Sequence, residues 1–150
     1  MRPEIENAIS DLTVADLMTT DLFTLLEDDN ITVADEMMKW RNIRHIPVIN
    51  DRNEIVGIIT NRDILKISVS TLAGISHKDQ RLLHDKVRAR DIMQNKILTI
   101  PENTPLYTAA KLLSSNKIGC LPIIKKGKLV GIITEADFVK FFTKKVDFWN

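Results

Sequence analysis

The chain has 150 residues, 44% of them hydrophobic and 27% charged, the size and balance of one compact soluble domain with a sizeable core. Twenty-one basic residues against twenty acidic ones leave a net charge of +1. That balance excludes an overall field that would drive the protein onto nucleic acid or an anionic membrane, so an anionic ligand has to be captured locally.

No charged-then-apolar leader opens Met1 to Leu12, and no apolar run approaches the roughly 20 residues that span a bilayer. The expected address is therefore cytoplasmic, with no membrane partner. A short helical turn ending in Asp16-Leu17-Met18 comes first, followed by a brief extended piece around Leu22 to Leu25. The apolar positions Ile31, Ala34, Met37 and Met38 then fall at helical spacing and predict a helix with one buried face, capped by Asp29 or Asn30. Two strands rich in Ile and Val follow, His45 to Ile49 and Ile55 to Thr60, and the polar link Asn50-Asp51-Arg52-Asn53 makes them a hairpin. A helix from about Arg62 to Ser70 closes this stretch, and Ser76 to Lys86 has the polar, charged pattern of a connecting helix.

The same order then recurs. Asp91-Ile92-Met93 ends a short turn, and Ile97 to Ile100 is extended. Thr104 and Pro105 mark the start of a helix, as cap and first helical residue, that buries Leu106, Ala109, Ala110, Leu112 and Leu113. Strands Cys120 to Ile124 and Leu129 to Thr134 flank Lys125-Lys126-Gly127-Lys128, and a helix runs from about Glu135 to Lys145. Pro47 and Pro122 lack the amide that a central ladder needs, which predicts edge positions for their strands. The lone cysteine, Cys120, has no intrachain disulfide partner and reads as a small buried hydrophobe.

This recurrence is a tandem duplication. Asp16, Met18, Thr24, Ile31, Ala34, Ile43 and Pro47 are matched by Asp91, Met93, Thr99, Leu106, Ala109, Ile118 and Pro122 at a constant spacing of 75. After the Asn50 to Glu54 turn the spacing falls to 74, so Gly57-Ile58-Ile59-Thr60-Asn61-Arg62-Asp63 is matched by Gly131-Ile132-Ile133-Thr134-Glu135-Ala136-Asp137. Two half-units of this kind complete one another's core.

Each copy resembles a cystathionine-beta-synthase (CBS) domain, and the pair resembles the tandem Bateman module. The resemblance is carried by Asp16-Leu17-Met18, Arg44-His45-Ile46-Pro47-Val48 and Gly57 to Asp63 in copy one. In copy two it is carried by Asp91-Ile92-Met93, Gly119-Cys120-Leu121-Pro122-Ile123 and Gly131 to Asp137. It implies an α+β fold of two strand-helix-strand-strand-helix motifs packed as a pseudo-twofold pair. The expected organisation is an N-terminal segment at 1-13, a first motif at 14-70, a connector at 71-86, a second motif at 87-145 and a tail at 146-150.

The strand ends carry the candidate chemistry. Thr60 closes a strand beside the free amides of the next helix, where an anion such as phosphate is favoured. Asp63 projects from the first helical turn, where a carboxylate can accept from vicinal hydroxyls such as those of ribose. Ile58 and Ile59 offer an apolar flank to a flat base. The same Thr and Asp also read as a helix cap and a first-turn carboxylate, a role compatible with binding. The resemblance assigns phosphate and ribose contacts to Thr60 and Asp63, and to Thr134 and Asp137 with Ile132 at the flank. It also makes Arg44 a phosphate contact, by the fit of a guanidinium to two phosphate oxygens. It further joins each Thr and Asp to the early strand of the other copy, around Phe23 and Thr24 or Leu98 and Thr99.

Copy two has Gly119 in place of Arg44 and Ala136 in place of Arg62, so the two sites are not expected to be equivalent. Arg62 reads either as a ligand contact or as a solvated surface charge, and His45 either borders the pocket or is an ordinary half-buried histidine. His77 and His84, on the polar connector, have no acidic or cysteine partners at metal-ligand spacing. The methionines Met18, Met37, Met38 and Met93 read as filler of core or interface.

No nucleophile with its base, acid and base pair or phosphate-binding glycine loop is recognisable, so an enzyme is not expected and no cofactor is required. The expected function is a sensor or regulatory module. It binds AMP, ADP, ATP, S-adenosylmethionine or a related adenosine-type ligand in the cleft between its halves, as a homodimer, and acts on a regulated protein that the sequence does not name. The alternatives are a protein-interaction adaptor without a nucleotide, and a nucleic-acid-binding module, against which the charge balance argues.

Overall fold

The structure is a computed structural model and describes residues 3–70 and 84–149. In chain order the elements are α1 (Pro3–Ser10), a 3-10 turn (Val14–Asp16), β1 (Leu25–Leu26), α2 (Ile31–Arg41), β2 (His45–Ile49), β3 (Ile55–Thr60) and α3 (Asn61–Ser70). They continue with α4 (Ala89–Ile92), β4 (Ile100–Pro101), α5 (Leu106–Asn116), β5 (Cys120–Lys125), β6 (Lys128–Thr134) and α6 (Glu135–Trp149). Most of the expected connector, including His77, lies outside the described residues. His84, expected on a polar connector, is buried.

The chain forms two compact units that do not follow the sequence halves. One comprises Phe23–Ile97; the other comprises Met1–Leu22 together with Leu98–Asn150. The turn that opens each repeat in sequence therefore belongs in space with the sheet of the other repeat.

In the Phe23–Ile97 unit, β2 runs parallel to β1 (Leu25↔Val48) and antiparallel to β3 (His45↔Thr60), giving the strand order β1-β2-β3. Leu25, Ala34, Met38, Ile46, Val48, Ile59 and Ile64 form its core with Ala89, which arrives from α4. That arrival is fixed by backbone pairing, with Ala89 N donating to Asp29 O at 2.8 Å and Ile31 N to Val87 O at 3.1 Å. Asn30 caps α2 by accepting from Val33 N, and Asn42 ends it in the left-handed region at φ 53°.

The other unit repeats this plan with β4-β5-β6, Ile100 pairing with Ile123 and Cys120 with Thr134. Val14 is buried there among Leu106, Ala109, Leu113, Leu121, Ile123 and Ile133. Its N–H donates to Thr104 O at 2.9 Å, and Leu106 N donates to Leu12 O at 2.9 Å. The aspartates of the two opening turns hold those turns shut: Asp16 accepts from Thr13 N at 2.8 Å and Asp91 from Arg88 N at 2.9 Å.

Two local expectations are corrected. Thr104 does not cap α5; its hydroxyl donates to Pro101 O at 2.7 Å, and Pro105 itself occupies the cap position. Pro47 and Pro122 lie on central strands, not edge strands. The prolines are tolerated because the parallel ladders begin only at Val48 and Ile123, one residue later in each case, so each central strand starts as a local edge.

The missing residue of copy two is a change of hairpin. Lys126 and Gly127, at φ 52° and 77°, form a two-residue loop of the kind that matches strand twist, whereas copy one uses a longer loop with Asn53 at φ 59°. Asn50 organises that longer loop, its side-chain oxygen accepting from Arg52 N at 2.9 Å and Glu54 N at 3.0 Å.

Candidate functional site

Each Gly-Ile-Ile-Thr strand delivers its threonine to the first turn of a helix. In the Phe23–Ile97 unit, Thr60 N donates to Asp63 Oδ2 at 2.8 Å and the Thr60 hydroxyl to the same oxygen at 2.9 Å. Asp63 N returns a bond to the Thr60 hydroxyl at 3.2 Å, closing a reciprocal capping box. Arg44 is tied to the same corner, since its carbonyl accepts from Asn61 N at 2.9 Å, and its side chain is exposed. His45 is the cross-strand partner of Thr60. Arg62 is exposed on the first turn of α3, Ile58 is buried, and Phe23 packs against the core of the same unit with Thr24 half-buried beside it in sequence.

The equivalent corner of the other unit is more enclosed. Thr134 N donates to Asp137 Oδ2 at 2.8 Å and the Thr134 hydroxyl to it at 3.4 Å. Asp137 is 8% exposed. Ile132 and Thr99 are half-buried and Leu98 is exposed. Where copy one has His45, this corner has buried Cys120, whose thiol is pushed up to about 12 first by burial and then by the charge of Asp137.

Two side chains at these corners escape sequence reasoning. Thr19 donates its hydroxyl to Asp137 Oδ1 at 2.8 Å, and Gln94 reaches Asp63 Oδ1 and Oδ2 at 3.3 and 3.4 Å. Both sit on short bridges to the glycine-containing strands: Thr19 N donates to Ile132 O and Gln94 N to Ile58 O. They follow Met18 and Met93 directly, and the spacing of 75 that pairs those methionines also pairs Thr19 with Gln94.

The backbone glycines of the motif also have a reason. A Cβ on Gly131 would stand 2.8 Å from the sulfur of Met18 and 3.1 Å from Thr19 O. The opening turn thus lies on the strand through the methionine. Among the described residues there is no group of three or more His, Cys, Asp or Glu able to hold a metal ion, and no helix long and apolar enough to cross a membrane.

Comparison with known proteins gives the same picture. The CBS domain family matches over residues 14–70 and 89–144. A CBS domain-containing protein of Dictyostelium discoideum is 31% identical over 137 residues, covering 89% of this chain and 93% of its own. Larger relatives contain the similar stretch as a part: this chain spans 25% of a homoserine O-acetyltransferase of Methanococcoides burtonii and 22% of an inosine-5′-monophosphate dehydrogenase of Thermoplasma acidophilum.

Among solved structures, CBSX2 in complex with AMP is 27% identical with a TM-score of 0.72, covering 88% of this chain and 96% of that one. The CBS domain pair of protein MJ0100, in complex with 5′-methylthioadenosine and S-adenosyl-L-methionine, is 25% identical with a TM-score of 0.74, covering 89% of this chain and 98% of that one. With both motifs matched in sequence and both three-stranded sheets in place, this chain belongs to the CBS domain family, as a tandem pair of CBS motifs.

Proposed function

We propose that the chain is a regulatory or sensor module that binds an adenosine-containing ligand at its Thr-x-x-Asp strand ends. The observation that carries this reading is the duplication of one corner, Thr60 with Asp63 and Thr134 with Asp137, in which a strand ends at the first turn of a helix, where the helix dipole favours an anion. Its support from relatives is that CBSX2 is solved with AMP and the MJ0100 pair with S-adenosyl-L-methionine and 5′-methylthioadenosine. The candidate ligands are accordingly AMP, ADP, ATP and S-adenosylmethionine.

In this reading Asp63 accepts from the ribose, and the exposed side chain of Arg44, beside the start of α3, holds phosphate. A ligand that prefers one arrangement of the module shifts its population toward that arrangement, which is a physical basis for signalling to a protein partner. The protein acts in the cytoplasm as a homodimer. Apolar side chains at equivalent outer positions of α3 and α6, Leu65 at 52% and Val139 at 65% exposure, support self-association. The Lys125 to Lys128 turn does not favour nucleic acid, since Lys125 is already paired with Glu102 at 3.0 Å.

The test is a melting-temperature screen against AMP, ADP, ATP, S-adenosylmethionine and adenosine. A ligand at about 100 times its dissociation constant adds about 2.7 kcal/mol, a shift of several degrees for a protein of this size. A panel without any shift returns the chain to the adaptor reading.

A further inference from the structure

Asp63 and Asp137 hold equivalent positions but do not offer equivalent oxygens. Resting on the nucleotide reading above, we infer that Thr19 decides which of the two carboxylates reads a ribose. Its hydroxyl takes the place of a ligand hydroxyl on Asp137 and leaves Asp63 as the carboxylate that selects a vicinal diol.

Asp137 Oδ1 already accepts a charge-assisted bond from Thr19 at 2.8 Å, while Oδ2 is engaged by Thr134. The donor is held in place by its backbone. Thr19 is clamped to Ile132 through both of its backbone groups, at 2.8 and 3.0 Å, and its β-branched side chain has a single torsion with few allowed values. Asp137 is moreover only 8% exposed, so losing the Thr19 hydroxyl costs its carboxylate more than the same loss would cost in solvent.

At Asp63 the same position is held by Gln94, clamped to Ile58 at 3.0 and 2.9 Å by its backbone but exposed in its side chain. Its amide reaches the carboxylate only at 3.3 and 3.4 Å, beyond the usual range for an N–H donor, through a chain with three torsions. A diol arriving at Asp63 displaces a long contact whose donor swings into solvent. One arriving at Asp137 has to break a short bond from a donor whose backbone is held on both sides.

The test is calorimetric titration of the full chain with AMP and with 2′-deoxy-AMP. The wild type is expected to show one tight AMP site that prefers the ribonucleotide by roughly tenfold or more, the scale of one hydrogen bond to a charged group. Thr19→Val keeps the shape and removes the donor. It is expected to tighten the second AMP site by about tenfold and to give that site the same preference, and Thr19→Ser is expected to restore the original difference.

Gln94→Thr places the short donor opposite Asp63 and is expected to abolish the preference of the tight site, which decides the matter even if Thr19→Val does not fold. Two wild-type sites of equal preference, unmoved by these substitutions, overturn the assignment and leave nucleotide binding standing. No binding of AMP to any of these proteins also overturns it. The nucleotide reading itself falls only if the whole melting panel is silent, so the two failures are told apart.

Discussion

Met93 lies so close against Gly57 that a Cβ on the glycine would stand 2.5 Å from the methionine sulfur and 3.0 Å from its Cβ. Gly57→Ala is therefore expected to destabilise the protein by about 1 to 3 kcal/mol, the usual cost of overpacking. Met93→Ala in the same chain should recover part of that loss, because it removes the atoms in the way. Denaturant titrations of both single variants and the double variant measure the coupling, and strictly additive losses would show that the contact does not determine the glycine.

Asp63→Ala is expected to weaken adenine-nucleotide binding at its own corner by roughly 10- to 150-fold, the loss of a hydrogen bond to a charged group. It also removes the partner of Thr60 N and of the Thr60 hydroxyl, so a fall in stability of about 1 kcal/mol should accompany it. Calorimetry with wild-type affinity and that stability loss together would leave Asp63 as a cap alone.

Arg44 is anchored at the start of α3 by its carbonyl, while its guanidinium is exposed and has no counterpart at Gly119. Arg44→Ala should weaken binding of AMP by roughly 10-fold or more and leave adenosine nearly unaffected, since only the phosphate uses the guanidinium. Equal losses for both ligands would mean that the residue shapes the site without holding phosphate.

Cys120 stays protonated in the folded state up to about pH 12, held there by burial and then by Asp137, whereas the unfolded thiol ionises near pH 9. The folded state binds the extra proton across that interval, so the contribution of this group to stability falls as pH rises from about 9 toward 12. Cys120→Ala should flatten that alkaline decline in urea titrations. The native thiol should also resist alkylation at pH 8; modification at the rate of a free thiol would contradict its burial.

Light scattering after size exclusion is expected to give twice the 17.1 kDa chain mass, and Leu65→Glu with Val139→Glu is expected to reduce it to one chain. Tyr107 at 59% and Trp40 at 80% exposure provide controls, since neither has an apolar counterpart at the matching position of the other repeat. A monomer at tens of micromolar in the wild type would dismiss self-association.

The hairpins were legible because their signals are local. Two runs rich in Ile and Val, one ending before Asn50 and the other ending at Thr60, predict β2 and β3 with the bounds they have. The capping corner was legible for the same reason, since Thr60 and Asp63 are three residues apart. Thr104 misled because a proline next to it took the cap, and Pro47 because the parallel ladder beside it is only two residues long. Thr19 escaped notice because its partner is 118 residues away, a contact set by which sheet the opening turn joins and not by any local pattern. On α6 Phe141 and Phe142 meet edge to face at 5.5 Å.

Because Met1–Leu22 completes the unit built by Leu98–Asn150, the two units have unequal histories during synthesis. Every contact within Phe23–Ile97 is available once Ile97 has left the ribosome, so that unit can form on the nascent chain. The other has to wait for the last strand and helix, and must then close its ends across the whole length of the first, at the entropic cost of a long loop that has already been shortened by folding. The chain is in this sense one unit inserted into another. A circular permutant that joins Asn150 to Met1 and opens at the boundary between Leu22 and Phe23 would make both units continuous in sequence.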